Sequence, residues 1–264
     1  MSKVSQFYEK YPEDHRLDGS PSLKIEFLMT KEAIDPHLEK GDRILELGAG
    51  GGAYSLHYAK RGFDVTATDI AQGHVELINK KAKEKGLSIK TRRIDAVDLS
   101  AFEDGTFDVV LSLGPIYHLI KEKDRHKTIS ESCRVLKPGG LLVVAYINKL
   151  FILNAVMTSK KKYLNKDFVD QIIDESHIRS GQKHNFWTDA YFTKPSDILS
   201  FLKTFPLTIT DHVAVDGLTP LFSEKIDQMD KAAFNAWLYQ LRRTRRDKDS
   251  LGLSKHGLIL AKKK

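Results

Sequence analysis

The sequence predicts an α/β fold, with helices flanking a mostly parallel sheet, and three stretches carry that prediction. Arg43 to Asp69 reads as an apolar strand, a glycine cluster, a helix and a β-branched strand closing on an acid, which makes one βαβ unit. Phe107 to Leu113, FDVVLSL, is apolar on both faces and suits the middle of a covered parallel sheet. Lys121 to Leu136 reads as a helix ended by Lys137-Pro138-Gly139-Gly140, and LLVVAYI after it reads as another buried strand.

Size and composition bound the alternatives. The chain has 264 residues, enough for one large α/β domain with additions. Hydrophobic residues make up 41% and charged residues 29%, the balance of a globular chain rather than a disordered one. No apolar run approaches membrane-spanning length, and Met1 to Tyr11 lacks the apolar centre of a secretory signal. A lone cysteine rules out an internal disulfide and fits a reducing cytoplasm. The net charge of +7 permits an anionic partner, nucleic acid included, without requiring one.

Within the βαβ unit, Gly48, Gly50, Gly51 and Gly52 let backbone N–H groups approach a ligand that a Cβ would block. Asp69 can accept both hydroxyls of a ribose. Gly48, Gly50 and Ala53 satisfy the dinucleotide pattern, so NAD is one reading. Glu46, Gly48, Gly50 and Gly52 satisfy acid-x-Gly-x-Gly-x-Gly, which fits S-adenosylmethionine. A carboxylate two residues before the glycines repels a pyrophosphate but favours a sulfonium and an α-ammonium, so the second reading is preferred.

Here the chain resembles the class I S-adenosylmethionine-dependent methyltransferases. CRVLKPGGLLVV strengthens the resemblance, which covers Arg43 to Ile147. It implies a Rossmann-like, seven-stranded sheet whose last strand is antiparallel. It also implies a cofactor site of Glu46, Gly48, Ala49, Gly50, Gly52, Asp69, Ile70, Asp95, Ala96, Leu113 and Gly114. Asp95 is the acid expected beside the adenine amino group, with Asp98 as its neighbour alternative. An N-terminal helical cap over residues 1–40 would add Tyr8, Tyr11 and Arg16 at the methionine end or the substrate. FTKPSDIL, with WTDAY before it, is similar to bacterial small-molecule methyltransferases of the type 11/25-like kind.

The remaining elements follow in order. Ser22 to Ile34 reads as a helix with Ile25, Leu28 and Met29 inward. Ala71 to Gly86 is a helix with a Val75, Ile78 and Ala82 stripe, and Ser88 to Ile94 is a third strand. The strand at Phe107 ends in Gly114-Pro115-Ile116-Tyr117-His118, at the carboxyl edge where open α/β sheets bind ligands. His118 is the candidate to orient or deprotonate the methyl acceptor, and Tyr117 to shape its pocket. Cys133 faces the core of its helix and is no nucleophile.

The methyltransferase domain is expected over 41–264, with residues 149–191 as an inserted lid after the fifth strand. Pro195 to Phe205 reads as a helix, LTITDHVAV as the sixth strand, and His256 to Ala261 as the last. Residues 218–250 form a helical insertion, with one long helix from Ser223 to Arg246 ending in RRTRR. The ten histidines show no metal-ligand spacing. Three functions stay in play: methyl transfer to a small molecule, methyl transfer to RNA, and cofactor binding without turnover. The expected protein is a cytoplasmic monomer or homodimer.

Overall fold

The structure is a computed structural model that describes residues 3–9, 16–17, 19–159 and 161–264. Tyr11 lies outside the described residues. Among the described residues, the α-helices α1 (Lys3–Tyr8) and α2 (Pro21–Ile34) precede the sheet. The alternating part follows as β1 (Arg43–Leu47), α3 (Ala53–Lys60), β2 (Asp64–Asp69), α4 (Gln72–Glu84) and β3 (Lys90–Arg93). It continues through β4 (Phe107–Ser112), α5 (Glu122–Val135) and β5 (Leu136–Ile147).

The inserted segment holds α6 (Lys149–Ser159), α7 (Lys166–Asp170) and a two-stranded ribbon of β6 (His177–Ile178) and β7 (Ala190–Tyr191). The chain then forms α8 (Pro195–Leu202), β8 (Leu207–Ala214), α9 (Ser223–Asp227), α10 (Lys231–Thr244), α11 (Lys248–Leu253) and β9 (His256–Lys263). The main sheet has seven strands in the order β3-β2-β1-β4-β5-β9-β8. β9 is antiparallel to both its neighbours, and the pairs among β1 to β5 are parallel.

Period-two burial explains why the sheet is covered on both sides. In β5, Leu141, Val143, Ala145 and Ile147 join one core, with Ile25 and Met29 of α2 and Tyr54 and Tyr58 of α3. Leu142, Val144 and Tyr146 join the other, with Ile129 and Cys133 of α5 and Ile198 and Leu202 of α8.

The inserted segment shares the first of these cores through Phe168, Ile172, Ile178, Ala190 and Phe192. Its ends are tied together, because Thr193 N–H donates to Ile147 O (3.0 Å) and Lys149 N–H to Thr193 O (3.0 Å).

Two boundaries depart from the sequence reading. The Ser223–Arg246 stretch is two helices, because Asp230 takes an extended conformation and its carboxylate accepts Ala233 N–H at 2.8 Å, starting a new helix. Lys137 to Gly140 lies inside the span of β5 as a register shift between the Phe107–Leu136 and Val109–Leu141 pairs.

Where β9 begins, Gly257 pairs with Tyr146 across the ladder. A Cβ at Gly257 would lie 2.1 Å from the tyrosine ring, and Tyr146 is itself buried at 1% exposure with its hydroxyl 2.8 Å from His212 Nε2. The ring therefore has no room to retreat. Gly257→Ala is expected to cost about 1–3 kcal/mol through overpacking, read as a lower denaturant midpoint at an unchanged slope. An unshifted midpoint would show that the ring is not confined.

Candidate active site

The carboxyl ends of β1, β2, β4 and β5 open onto one cleft of about 1560 Å³. Ligand sites commonly occupy about 300–1,000 Å³, so this cleft has room for two ligands side by side.

At its β1–β2 end the chain turns sharply through Gly48, Gly50 and Gly52, all at positive φ (66°, 53° and 79°). The turn brings Gly50 N–H to Asp69 Oδ2 at 2.8 Å, while Ala71 N–H donates to Oδ1 at 2.8 Å. His74 Nδ1 lies 3.2 Å from the same Oδ1. A carboxylate has about four acceptor sites, so Asp69 keeps capacity for a further donor.

Glu46, Gly48, Ala49, Gly50, Asp69, Ile70, Asp95, Ala96, Leu113 and Gly114 all line the cleft. Gly52 does not, although Gly51 does. A Cβ on Gly52 would meet Ile78 Cγ1 at 2.7 Å, so that glycine serves the packing of α4 against the turn. Asp95 sits exposed at the rim, its Oδ1 accepting Val97 N–H at 3.2 Å.

Glu46 decides the chemistry of this end. It is 2% exposed and accepts a hydrogen bond from the Ser55 hydroxyl, and among the described residues no cation forms an ion pair with it. Burial pushes its carboxyl up to about 7, with the Asp69 charge adding to the rise and the Ser55 bond opposing it. An uncompensated buried carboxyl beside a ligand cleft favours a cationic ligand and disfavours a pyrophosphate. The residues present therefore fit S-adenosylmethionine and fit NAD poorly.

Beyond Gly114, a short turn over Pro115–His118 carries Tyr117 and His118 into the cleft wall. His118 Nδ1 is 2.9 Å from Asp189 O, a carbonyl that can only accept, so the proton sits on Nδ1. Nε2 must then accept from Tyr8 Oη, 2.9 Å away. Burial lowers the His118 imidazole to about 4, opposed by the bond to Asp189. The sequence reading offered this lone pair to the substrate. The structure gives it to Tyr8, which leaves His118 holding Tyr8 in place.

Trp187 stacks edge-on against His118 at 4.8 Å and lies 6.3 Å from Tyr117. Phe186 also lines the cleft, whereas Phe151 of the expected lid and Phe192 just beyond it are buried and do not line it. Arg16 reaches the wall too, and its Nη1 donates to both oxygens of Glu26 (2.8 and 3.0 Å).

A family model described as "Methyltransferase domain" matches residues 45–144. A ubiquinone biosynthesis O-methyltransferase from Caulobacter sp. (strain K31) is 30% identical over 190 residues, covering 71% of this chain and 69% of that protein. The chain belongs to the class I S-adenosylmethionine-dependent methyltransferases. Solved structures share the fold. A SAM-dependent methyltransferase from Methanosarcina mazei covers 88% of this chain and 96% of its own at 22% identity and TM-score 0.62. A protein from Pyrococcus horikoshii OT3 covers 98% and 99% at 17% identity and TM-score 0.64. S-adenosylmethionine is accordingly the cofactor, and the reaction is methyl transfer.

Sequence reasoning missed a second polar group in the same cleft. Glu26 of α2, Asp216 after β8 and His256 at the start of β9 all line it. They are far apart in the chain, and no motif links them.

The raised Glu46 carboxyl sets a pH dependence. Its folded pKa lies above the ordinary 4.5, so its contribution to the stability of the free protein is complete below about 4.5 and is lost as pH rises through about 7. Cation binding demands the ionised form. S-adenosylmethionine affinity should therefore rise about tenfold per pH unit below about 7 and level off above it, with about one proton released at about pH 6. Calorimetry in buffers of different ionisation enthalpy measures the release. Glu46→Gln should abolish it, and a wild-type protein releasing none would contradict the assignment.

Proposed function

We propose that this methyltransferase acts on a hydroxyl of a small aromatic molecule. The observation that carries the reading is the cleft beside Glu46, large enough for a second ligand and walled by Tyr117, Phe186 and Trp187. Aromatic walls suit a flat apolar acceptor. The O-methyltransferase name of the Caulobacter relative supports oxygen as the acceptor atom.

In this reading Asp69 accepts the ribose hydroxyls, Asp95 the adenine edge, and Glu46 with the glycine turn the methionine end. The cofactor supplies an already activated methyl group on a sulfonium. The protein's own work is to hold the acceptor oxygen in line with it and to exclude water. Residues 179–189 of the inserted segment, which bring Arg179, Phe186, Trp187 and Asp189 to the cleft, form its cover over the acceptor. The lone, buried Cys133 is compatible with work in a reducing cytoplasm, which belongs to the same proposal.

RNA is the weaker partner on physical grounds. In the RRTRR run, Arg242 is bound to Glu32 (2.7 and 2.8 Å) and Arg246 to Asp211 (2.6 Å at its shortest). Two of its four arginines are thus neutralised within the fold, and counterion release on RNA would need free cations.

The test offers catechol, 4-hydroxybenzoate, 3,4-dihydroxybenzoate and bulk tRNA to the protein with methyl-labelled S-adenosylmethionine. Label in a methyl ether of an aromatic hydroxyl is expected. Label in tRNA, with binding that falls steeply as salt rises, would overturn the proposal in favour of RNA. Cofactor binding with no transfer to any acceptor would favour a non-catalytic role.

A further inference from the structure

The cleft holds a buried polar group that the cofactor reading leaves unused. β9 lies beside β5, and His256 pairs with Ile147, the last residue of that strand. β5 in turn lies beside β4, so His256 stands on the same carboxyl edge, two strand spacings or about 10 Å from the end of β4 where Gly114 follows. Tyr146 against Gly257 fixes the start of β9 immediately behind it.

His256 Nδ1 is 2.6 Å from Asp216 Oδ2, and Asp216 Oδ1 accepts His256 N–H at 2.9 Å. Asp216 is 3% exposed and Ser254 is fully buried. The Ser254 hydroxyl lies 2.8 Å from Asp216 Oδ1 and accepts Gly217 N–H at 2.9 Å. The carboxylate is therefore locked in place before any ligand arrives, and it orients the imidazole with its proton on Nδ1.

Nε2 then carries the bare lone pair. No described residue bonds it, and His256 lines the cleft. The contrast with His118, whose two nitrogens are both taken, is direct.

We propose that His256, oriented by Asp216, is the catalytic base that takes the proton from the acceptor hydroxyl; the inference rests on the hydroxyl-acceptor reading above. The acceptor O–H bond breaks and its proton moves to Nε2. The freed oxygen pair forms the bond to the methyl carbon, and the electrons of the carbon–sulfur bond return to sulfur. The imidazolium so formed is held by Asp216 on Nδ1.

Charged groups from several elements face it. Glu26 Oε2 of α2 is 3.5 Å from Nδ1. Burial pushes the Glu26 carboxyl up, but Arg16 above all, with Lys255, holds it down at about 2, so it faces His256 as an anion. Arg16 is taken up by Glu26, and Asp227 of α9 is turned to the backbone and hydroxyl of Ser22. Lys255, adjacent on the chain, also lines the cleft.

The test compares wild type and His256→Gln on whichever hydroxyl acceptor of the panel the wild type methylates fastest. The variant should bind S-adenosylhomocysteine and melt as the wild type does, but lose a factor of about 10²–10⁴ in kcat near neutral pH. Because an aromatic hydroxyl ionises by itself near about pH 10, the gap should narrow steadily as pH rises from about 7 to about 9. Long-range proton–nitrogen NMR of the S-adenosylhomocysteine complex should show the His256 proton on Nδ1. That spectrum decides alone if the variant melts early.

An unchanged kcat, a deficit that is the same at every pH, or a proton on Nε2 would each overturn the base. If wild type binds S-adenosylhomocysteine and methylates none of the hydroxyl acceptors, the hydroxyl reading fails and the base fails with it. Methylation at equal rates by both proteins fails the base alone.

Discussion

The position of the Asp69 carboxylate is the constraint on which the site depends. It stands between two backbone N–H groups, Gly50 from the turn after β1 and Ala71 from the entry to α4, each at 2.8 Å. These two bonds fasten the glycine turn to the end of the neighbouring strand. A turn of this curvature needs positive φ at Gly48, Gly50 and Gly52, and only glycine adopts that conformation without strain. The parallel pairing of β1 with β2 then presents Glu46 and Asp69 to one cleft.

Charge is arranged in that cleft in two distinct ways. At the β1 end a buried carboxyl, Glu46, has no ion-pair cation among the described residues and rises to about 7, a state that a cationic ligand would relieve. Around β9, Glu26 is matched by Arg16, and Asp216 is hydrogen-bonded by His256 Nδ1 at 2.6 Å and by the His256 N–H. Burying an unpaired charge is costly, whereas a paired and hydrogen-bonded one persists in either state of the cleft. The unpaired end is therefore the one built to receive charge from outside. The paired end keeps a fixed orientation with or without a ligand.

Much of the fold was legible because local patterns and tertiary burial agree in it. FDVVLSL and LLVVAYI are apolar on both faces, and both strands are covered on both faces. The cofactor end was legible for the same reason, since its residues follow one another within a single βαβ unit. What the sequence could not show was assembled by long-range contacts. His118 looked available until Asp189 and Tyr8, 71 and 110 residues away, claimed its two nitrogens. The Arg242–Glu32 pair spans 210 residues, and nothing in RRTRR itself announces it. His256 and Asp216, 40 residues apart, belong to no local motif, and only the antiparallel return of β9 brings them to the cleft. Gly52 carries a packing role its spacing did not announce: the spacing matches a ligand pattern, and its missing Cβ makes room for Ile78.

We propose that this glycine turn and Asp69 form a preorganised nucleoside site, with the acceptor space on the β5–β9 side of the sulfur. A crystal structure of the protein with S-adenosylhomocysteine tests it most directly. Both ribose hydroxyls should lie within hydrogen-bond distance of the Asp69 carboxylate, with the methionine end beside Glu46 and open space between the sulfur and His256. A nucleoside bound elsewhere, or a sulfur facing away from His256 with the intervening space filled by protein, would contradict it.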